Sequence, residues 1–275
     1  MFPEIHILNK TIHAYMIMSL IGILVSLFYV INKCKKEKIS DYDYIIVLLF
    51  GALGAMIGGH LLYGIVNYKL IIYFFNNLEK VTNVNILLQY FILIFGGNVF
   101  YGGLIGGLIS SYLTMKIRKM NIKKTTDFLT PVIPLFHFFG RIGCFLSGCC
   151  YGVKSHIGFT YKYSLIESAN NVNRFPIQLV ESFYNLILFI LLTIFYKKNK
   201  MKGKILYLYL VLYSIGRFIF EFFRGDEYRG FVLGLSTSQF ISIIIFVISI
   251  ILISRKEVQN GKERRTKSRR SKNWK

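Results

Sequence analysis

Seven stretches of about twenty predominantly apolar residues follow one another along this chain of 275 residues. A helical run of that length spans the roughly 30 Å of hydrocarbon in a bilayer. The runs predict helices at about 11–31, 44–66, 86–115, 127–146, 176–196, 204–223 and 236–254. Within lipid each backbone N–H and C=O must be satisfied inside the segment, which restricts an apolar chain of this kind to helices. The expected fold is therefore all-α, a polytopic bundle over residues 1–254 with a basic tail at 255–275. The first run, Ile12 to Ile31, lacks a preceding basic segment and a following small-residue cleavage site, so it reads as a retained helix.

Charge patterning orients the bundle. The net charge is +21, which by itself suggests nucleic acid, but the basic residues are grouped. Four Lys lie in 33–38, five Lys/Arg in 116–124, five Lys in 197–204 and ten Lys/Arg in 255–275. These clusters follow alternate spans, as the positive-inside rule requires, so topology accounts for the basicity and no nucleic-acid partner is expected. The N-terminus is then outside and the C-terminus cytoplasmic, with 67–85, 147–175 and 224–235 on the outer side. The span 127–146 is weakened by Pro131, Pro134, His137, Gly140 and Arg141, yet omitting it would strand the 197–204 cluster outside. The tail reads as an anchor on anionic lipid, at about 1 kcal/mol per basic residue near the surface.

A few arginines stand apart from those clusters. Arg141, Arg217 and Arg224 lie in or beside spans near the outer face, where each costs about 2.5–3.5 kcal/mol at a helix centre and needs a partner or a function. In YSIGRFIFEFFR, helical spacing puts Tyr213, Arg217, Glu221 and Arg224 on one stripe. His137, Arg141, Cys144 and Gly148 share another, and Gln178, Glu181 and Ser182 a third, at the start of the fifth span. Any single Arg–Glu pair can be a buried tether. Three arginines and two glutamates converging on one leaflet instead suit a phosphate, which a guanidinium grips with two parallel hydrogen bonds. In an outer leaflet that phosphate belongs to a lipid headgroup.

Glycines recur at four-residue spacing in GALGAMIGG (51–59) and YGGLIGG (101–107), a pattern that lets helices approach closely. Packing accounts for them well. Tyr101, directly before Gly102 and Gly103, leaves open a second reading in which this backbone meets a ligand.

The pieces IHAYMIMSLIG, FYGGLIGG, DFLTPVIPLFHFFGRIGCFLSGCCYG, PIQLVESF and GRFIFEFFRGDE, in this order over about residues 12–245, resemble the bacterial prolipoprotein diacylglyceryl transferases. The resemblance implies a seven-helix enzyme of the bacterial cytoplasmic membrane, its N-terminus outside. Its substrates would be phosphatidylglycerol and the lipobox cysteine of a secreted prolipoprotein, which receives the diacylglyceryl group as glycerol phosphate leaves. No cofactor is implied. By the same resemblance Arg141 is the signature arginine, and Arg217, Glu221 and Arg224 come from the sixth span. Tyr15 matches a tyrosine of the first, and Gln178 and Glu181 match the polar start of the fifth.

The chain departs from the family where polar groups are usual. Tyr101-Gly102-Gly103 stands for His-Gly-Gly, and Cys144, Ser147 and Cys149 replace Asn, Asn and Glu of the signature; His60 replaces an arginine. Tyr101, Arg141 and Arg217 are the expected catalytic residues. Tyr15, His60, Gly102, Gly103, Cys144, Gln178, Glu181, Tyr213, Glu221 and Arg224 are the expected substrate-binding ones. For Cys144, Cys149 and Cys150 the readings are metal ligands, a disulfide or apolar packing. No paired CxxC spacing is present, so packing without a metal is the expectation. Two alternatives remain: a family member with another acceptor, and a non-enzymatic lipid-binding or transport protein.

Overall fold

A computed structural model describes residues 3–7, 10–97, 99–226, 231–232 and 234–272. The protein is all-α, with three short antiparallel strand pairs in its connections among the described residues. Among those residues, six helical spans are long and apolar enough to cross a membrane. They are α1 (Ala14–Glu37), α2 (Tyr42–Val66), Ile122–Ser147, α8 (Ile177–Lys197), α9 (Ile205–Phe220 with one further 3₁₀ turn) and the first half of α10 (Thr237–Lys272). The last span runs on without a break into the basic tail, so no connecting loop separates bundle from tail.

Two compact units divide the chain, residues 30–125 and residues 1–29 with 126–275. In the first, α2 lies against α5 (Phe100–Ile117), and α3 (Tyr68–Asn76) and α4 (Val84–Phe95) belong to the same unit. Glycine shapes the α2–α5 contact. A Cβ on Gly58 would sit 2.3 Å from the Gly102 carbonyl oxygen, and one on Gly106 would sit 2.2 Å from that of Gly54. Any side chain there would push the backbones apart.

The single helix expected over 86–115 is corrected here: it is two helices, α4 and α5, interrupted between Phe95 and Phe100. Gly96 and Gly97 are poor helix formers, and the backbone groups freed by the break find partners within the unit. Nδ1 of His60 lies 2.7 Å from the Phe95 carbonyl and 2.8 Å from that of Gly97. The Val99 N–H donates to the Gly59 carbonyl at 3.1 Å.

The span expected at 127–146 is likewise broken, into α6 (Ile122–Leu129) and α7 (Val132–Ser147). Pro131 and Pro134 supply no N–H, which ends the hydrogen-bond ladder between the two pieces. Asp127 in α6 accepts hydrogen bonds from the Gly203 and Ile205 N–H groups, the latter at 3.1 Å, at the start of α9. A carboxylate at a helix N-terminus meets both its unpaired donors and the positive end of its dipole. Leu188 and Leu192 of α8 pack on Ile205 and Tyr209 of α9, and the Tyr184 hydroxyl donates to the Leu212 carbonyl at 2.6 Å. This fixes α8 beside α9, with the start of one level with the end of the other.

Candidate active site

At one end of the larger unit, α7 stops, α8 starts, α9 stops and α10 starts. The three predicted polar stripes meet there. Glu181, 4 % exposed, is their centre. Its Oε2 lies 2.5 Å from Arg141 Nε of α7, and its Oε1 lies 3.3 Å from Arg217 Nη1 of α9. Arg217 Nη2 reaches Glu221 Oε2 at 2.8 Å and Ser238 Oγ of α10 at 2.9 Å. Glu221 also faces Arg224 at 3.8 Å, and Arg224 closes on Asp226 with two bonds of 2.9 and 2.5 Å.

Each element delivers its group for a local reason. Gln178, Glu181, Ser182 and Asn185 share one face of α8 and are all buried, as their spacing requires. α9 does not continue as a plain helix through Arg224. It tightens into a 3₁₀ turn over Glu221–Phe223 and leaves Arg224 extended, with φ −83° and ψ 140°. The single α-helical stripe of Tyr213, Arg217, Glu221 and Arg224 is corrected accordingly, though the i,i+3 geometry of the 3₁₀ turn still brings Arg224 to Glu221. Backbone bonds pin the signature to this turn: Val153 N–H donates to the Phe223 carbonyl at 3.0 Å, and Gly225 N–H to that of Tyr151 at 2.9 Å. Gly152 sits between them, and a Cβ there would lie 2.2 Å from the Phe175 carbonyl oxygen.

The three arginines face three carboxylates, so the cluster is balanced in formal charge. Its members are not equivalent. Arg217 and Arg224 are committed at both ends of their guanidinium groups. Arg141 meets Glu181 most closely through Nε, and its two terminal nitrogens make no hydrogen bond among the described residues. Its side chain is also the most exposed of the three, at 21 % against 13 % and 10 %. The geometry therefore leaves one fork held in place and open.

The other expected residues divide into two groups. Tyr15 of α1, 45 % exposed, lies against α7, where a Cβ on Gly143 would be 3.1 Å from its ring. Tyr213 stacks beside His137 and Tyr209, with ring centroids 5.7 and 5.6 Å away. Gln178 donates to the Cys149 carbonyl at 2.8 Å and to the Tyr161 hydroxyl at 3.1 Å. Burial pushes that phenol up to about 12, so it stays protonated. Gln178 Oε1 is buried and meets no donor among the described residues.

His60, Gly102, Gly103 and the backbone of Tyr101 belong to the smaller unit. There His60 holds the helix break and Gly102 packs on α2, its Cβ position 2.2 Å from the Gly58 carbonyl oxygen. Gly103 is less confined, 3.2 Å from the Ala55 carbonyl oxygen by the same measure. The Tyr101 side chain lies outside the described residues.

Several participants were not singled out from the sequence. Asp226 and Ser238 complete the ion network, and a Ser in a first helical turn carries no signal of that role. Arg174, 7 % exposed, packs its guanidinium 4.0 Å from the Tyr151 ring centre and donates to the carbonyls of Ser168, Ala169 and Gly152. It organises the connection between α7 and α8. The cysteines also converge: the Sγ atoms of Cys144, Cys149 and Cys150 all lie within 4.8 Å of one another.

Residues 4–255 match the family model described as prolipoprotein diacylglyceryl transferase. Among curated relatives, a phosphatidylglycerol–prolipoprotein diacylglyceryl transferase of Clostridium tetani is 36 % identical, covering 88 % of this chain and 92 % of that protein. A second relative so named, from Clostridium perfringens, is 32 % identical over 94 % and 96 % of the two chains. One from Rickettsia bellii is 33 % identical over 90 % and 91 %.

Proposed function

The chain belongs to the prolipoprotein diacylglyceryl transferase family, and from that premise we propose that it moves the diacylglyceryl group of phosphatidylglycerol onto the lipobox cysteine of secreted prolipoproteins. It is a multi-pass membrane transferase. The observation that carries the site assignment is the open fork of Arg141, anchored through Nε by a buried Glu181.

Displacement at the glycerol carbon builds charge on the departing phosphate. A guanidinium already oriented toward that charge stabilises the transition state without having to reorganise. Arg141 is the group that receives the phosphate. Arg217 sets the position of Glu181 and, through it, of Arg141; it reaches the phosphate itself if lipid displaces its bond to Ser238. Glu221, Asp226 and Arg224 hold Arg217 and the end of α9. Tyr15 and Tyr213 flank the headgroup, and Gln178 offers a buried acceptor for a glycerol hydroxyl. Tyr101 stands where the family resemblance expects a histidine and is the proposed hydrogen-bond donor of the smaller unit, to which His60, Gly102 and Gly103 also belong.

The N-terminus faces outward and the basic tail lies on the cytoplasmic leaflet of the bacterial inner membrane, bound to anionic lipid. Reporter fusions after Lys200 and after Lys262 should both score cytoplasmic, and an external score at either overturns that orientation. The decisive test of function is incubation of the purified protein with phosphatidylglycerol labelled in its acyl chains and a lipobox peptide. Label should pass to the peptide and glycerol phosphate should be released. Label passing to another acceptor, or to none, refutes the assignment.

A further inference from the structure

The thiols converge because of the way α7 ends. Gly148 adopts the left-handed conformation, with φ +73°. Gly148 N–H donates to the Phe145 carbonyl at 3.3 Å and Cys149 N–H to that of Cys144 at 3.1 Å. This paired closure of a helix brings the residue before the last turn against the residue just past the glycine, a contact ordinarily made by apolar side chains. In this chain both positions are cysteine. Cys150 follows with φ +52°, which turns its side chain back toward the same point.

Tetrahedral thiolate ligands on bonds of about 2.3 Å stand roughly 3.8 Å apart, so a small contraction of the 4.8 Å cluster closes a site. Cys144 is buried, whereas Cys149 and Cys150 are half-buried. Arg141 interacts electrostatically with Cys144 and Cys150, and Arg224 with Cys150, which offsets the charge of several thiolates.

We propose that Cys144, Cys149 and Cys150 bind one thiophilic divalent ion of the zinc type, and that its fourth position takes the thiol of the acceptor. The second half of this proposal rests on the transferase reading above. A free thiol, with an ordinary pKa of about 8.5, is mostly protonated at neutral pH. Coordination removes the proton, which passes to solvent. A sulfur lone pair then forms the S–C bond to the glyceryl carbon. The C–O bond to phosphate breaks with both its electrons on the departing oxygen, which Arg141 receives. The metal keeps its oxidation state, and the thioether product is a weaker ligand that leaves. The site would thus generate the nucleophile in a chain that has a phenol where its family has an imidazole. It goes beyond the sequence expectation, in which these cysteines pack without a metal.

The test uses the full chain in nanodiscs, with thiols reduced and metals stripped by chelator, titrated with Co²⁺ and then Zn²⁺. A thiolate-to-cobalt charge-transfer band should saturate at about one equivalent and be displaced by Zn²⁺. It should vanish in Cys149→Ala and Cys150→Ala and persist in Cys34→Ala. Adding a lipobox peptide should change the cobalt ligand-field bands, while its Cys→Ser counterpart should not. Absence of the band in the wild-type protein, or its survival in the Cys149→Ala/Cys150→Ala double variant, overturns the metal site. Bands indifferent to the cysteine peptide overturn the acceptor role. Transfer of labelled lipid that persists in the stripped protein sinks the proposal and leaves the transferase intact. Cobalt binding without any transfer keeps the metal site and overturns the transferase reading, and with it the acceptor role.

Discussion

The α2–α5 seam and the Glu181 network hold helices together by opposite means. At the seam, glycine meets glycine and backbones approach closely enough for dispersion to act. Around Glu181, guanidinium and carboxylate groups from α7, α8 and α9 bond across buried space, with Ser238 of α10 added. Lipid tails are as apolar as leucine, so neither contact is driven by the hydrophobic effect. The difference lies in what each arrangement is needed for. Close packing suffices for stability, and buried ion networks are often no more stable than apolar packing of the same volume. A network that is expensive to bury and holds one arginine fork open is suited to a ligand.

Four substitutions break or sharpen that contrast, in descending order of effect. Glu181→Gln should be the most damaging, because it leaves Arg141 and Arg217 without their shared carboxylate. Loss of one partner from a buried ion cluster costs about 3–5 kcal/mol, which thermal unfolding in detergent would register alongside lost activity. An unchanged melting point would show that the network is solvated and not structural. Arg141→Ala removes the open fork and a single ion pair. Transfer should fall by about 100- to 1000-fold, with insertion and size-exclusion behaviour near normal. Near-normal turnover would leave the phosphate assignment without support.

The seam should respond in the other sense. Gly58→Ala puts a methyl group 2.3 Å from the Gly102 carbonyl oxygen and should cost about 1–3 kcal/mol in stability. Activity per folded molecule should stay close to wild type. A variant that is stable but inactive would mean that the seam participates in the chemistry. Tyr101→Phe should have the smallest effect, about tenfold on the transfer rate, the value of one hydrogen bond in the transition state. Equal rates with Tyr and Phe would remove its hydroxyl from the reaction.

Much of the site could be read as periodicity. Arg141, Glu181, Arg217 and Glu221 stood out because charges inside apolar runs are costly, and their helical spacing placed them on defined faces. Asp226 and Ser238 carried no such signal, since polar residues at span ends are common. The thiol cluster had one legible cue, a cysteine five residues before another with glycine immediately preceding the second. Its meaning depends on Gly148 closing the helix, and metal-motif spacing does not describe that geometry. The break at Gly96–Gly97 was hidden by the continuous apolar character of residues 86–115, because hydropathy averages over composition and is insensitive to backbone continuity.

Apolar runs between lysine clusters determined, without any structure, that this chain is a helical membrane bundle, because lipid admits few other backbones. The same runs, interrupted by charges, pointed to the helices that carry the buried ion network. Tertiary structure alone decided which arginine keeps its terminal nitrogens without a hydrogen bond among the described residues. That depends on how Glu181, Glu221 and Asp226 are shared among three guanidinium groups, and the division is set by where α7, α8 and α9 end relative to one another. Helix ends are fixed by caps, prolines and a 3₁₀ turn whose effects are about a kilocalorie each, too small to emerge from a sequence pattern until packing has selected among them.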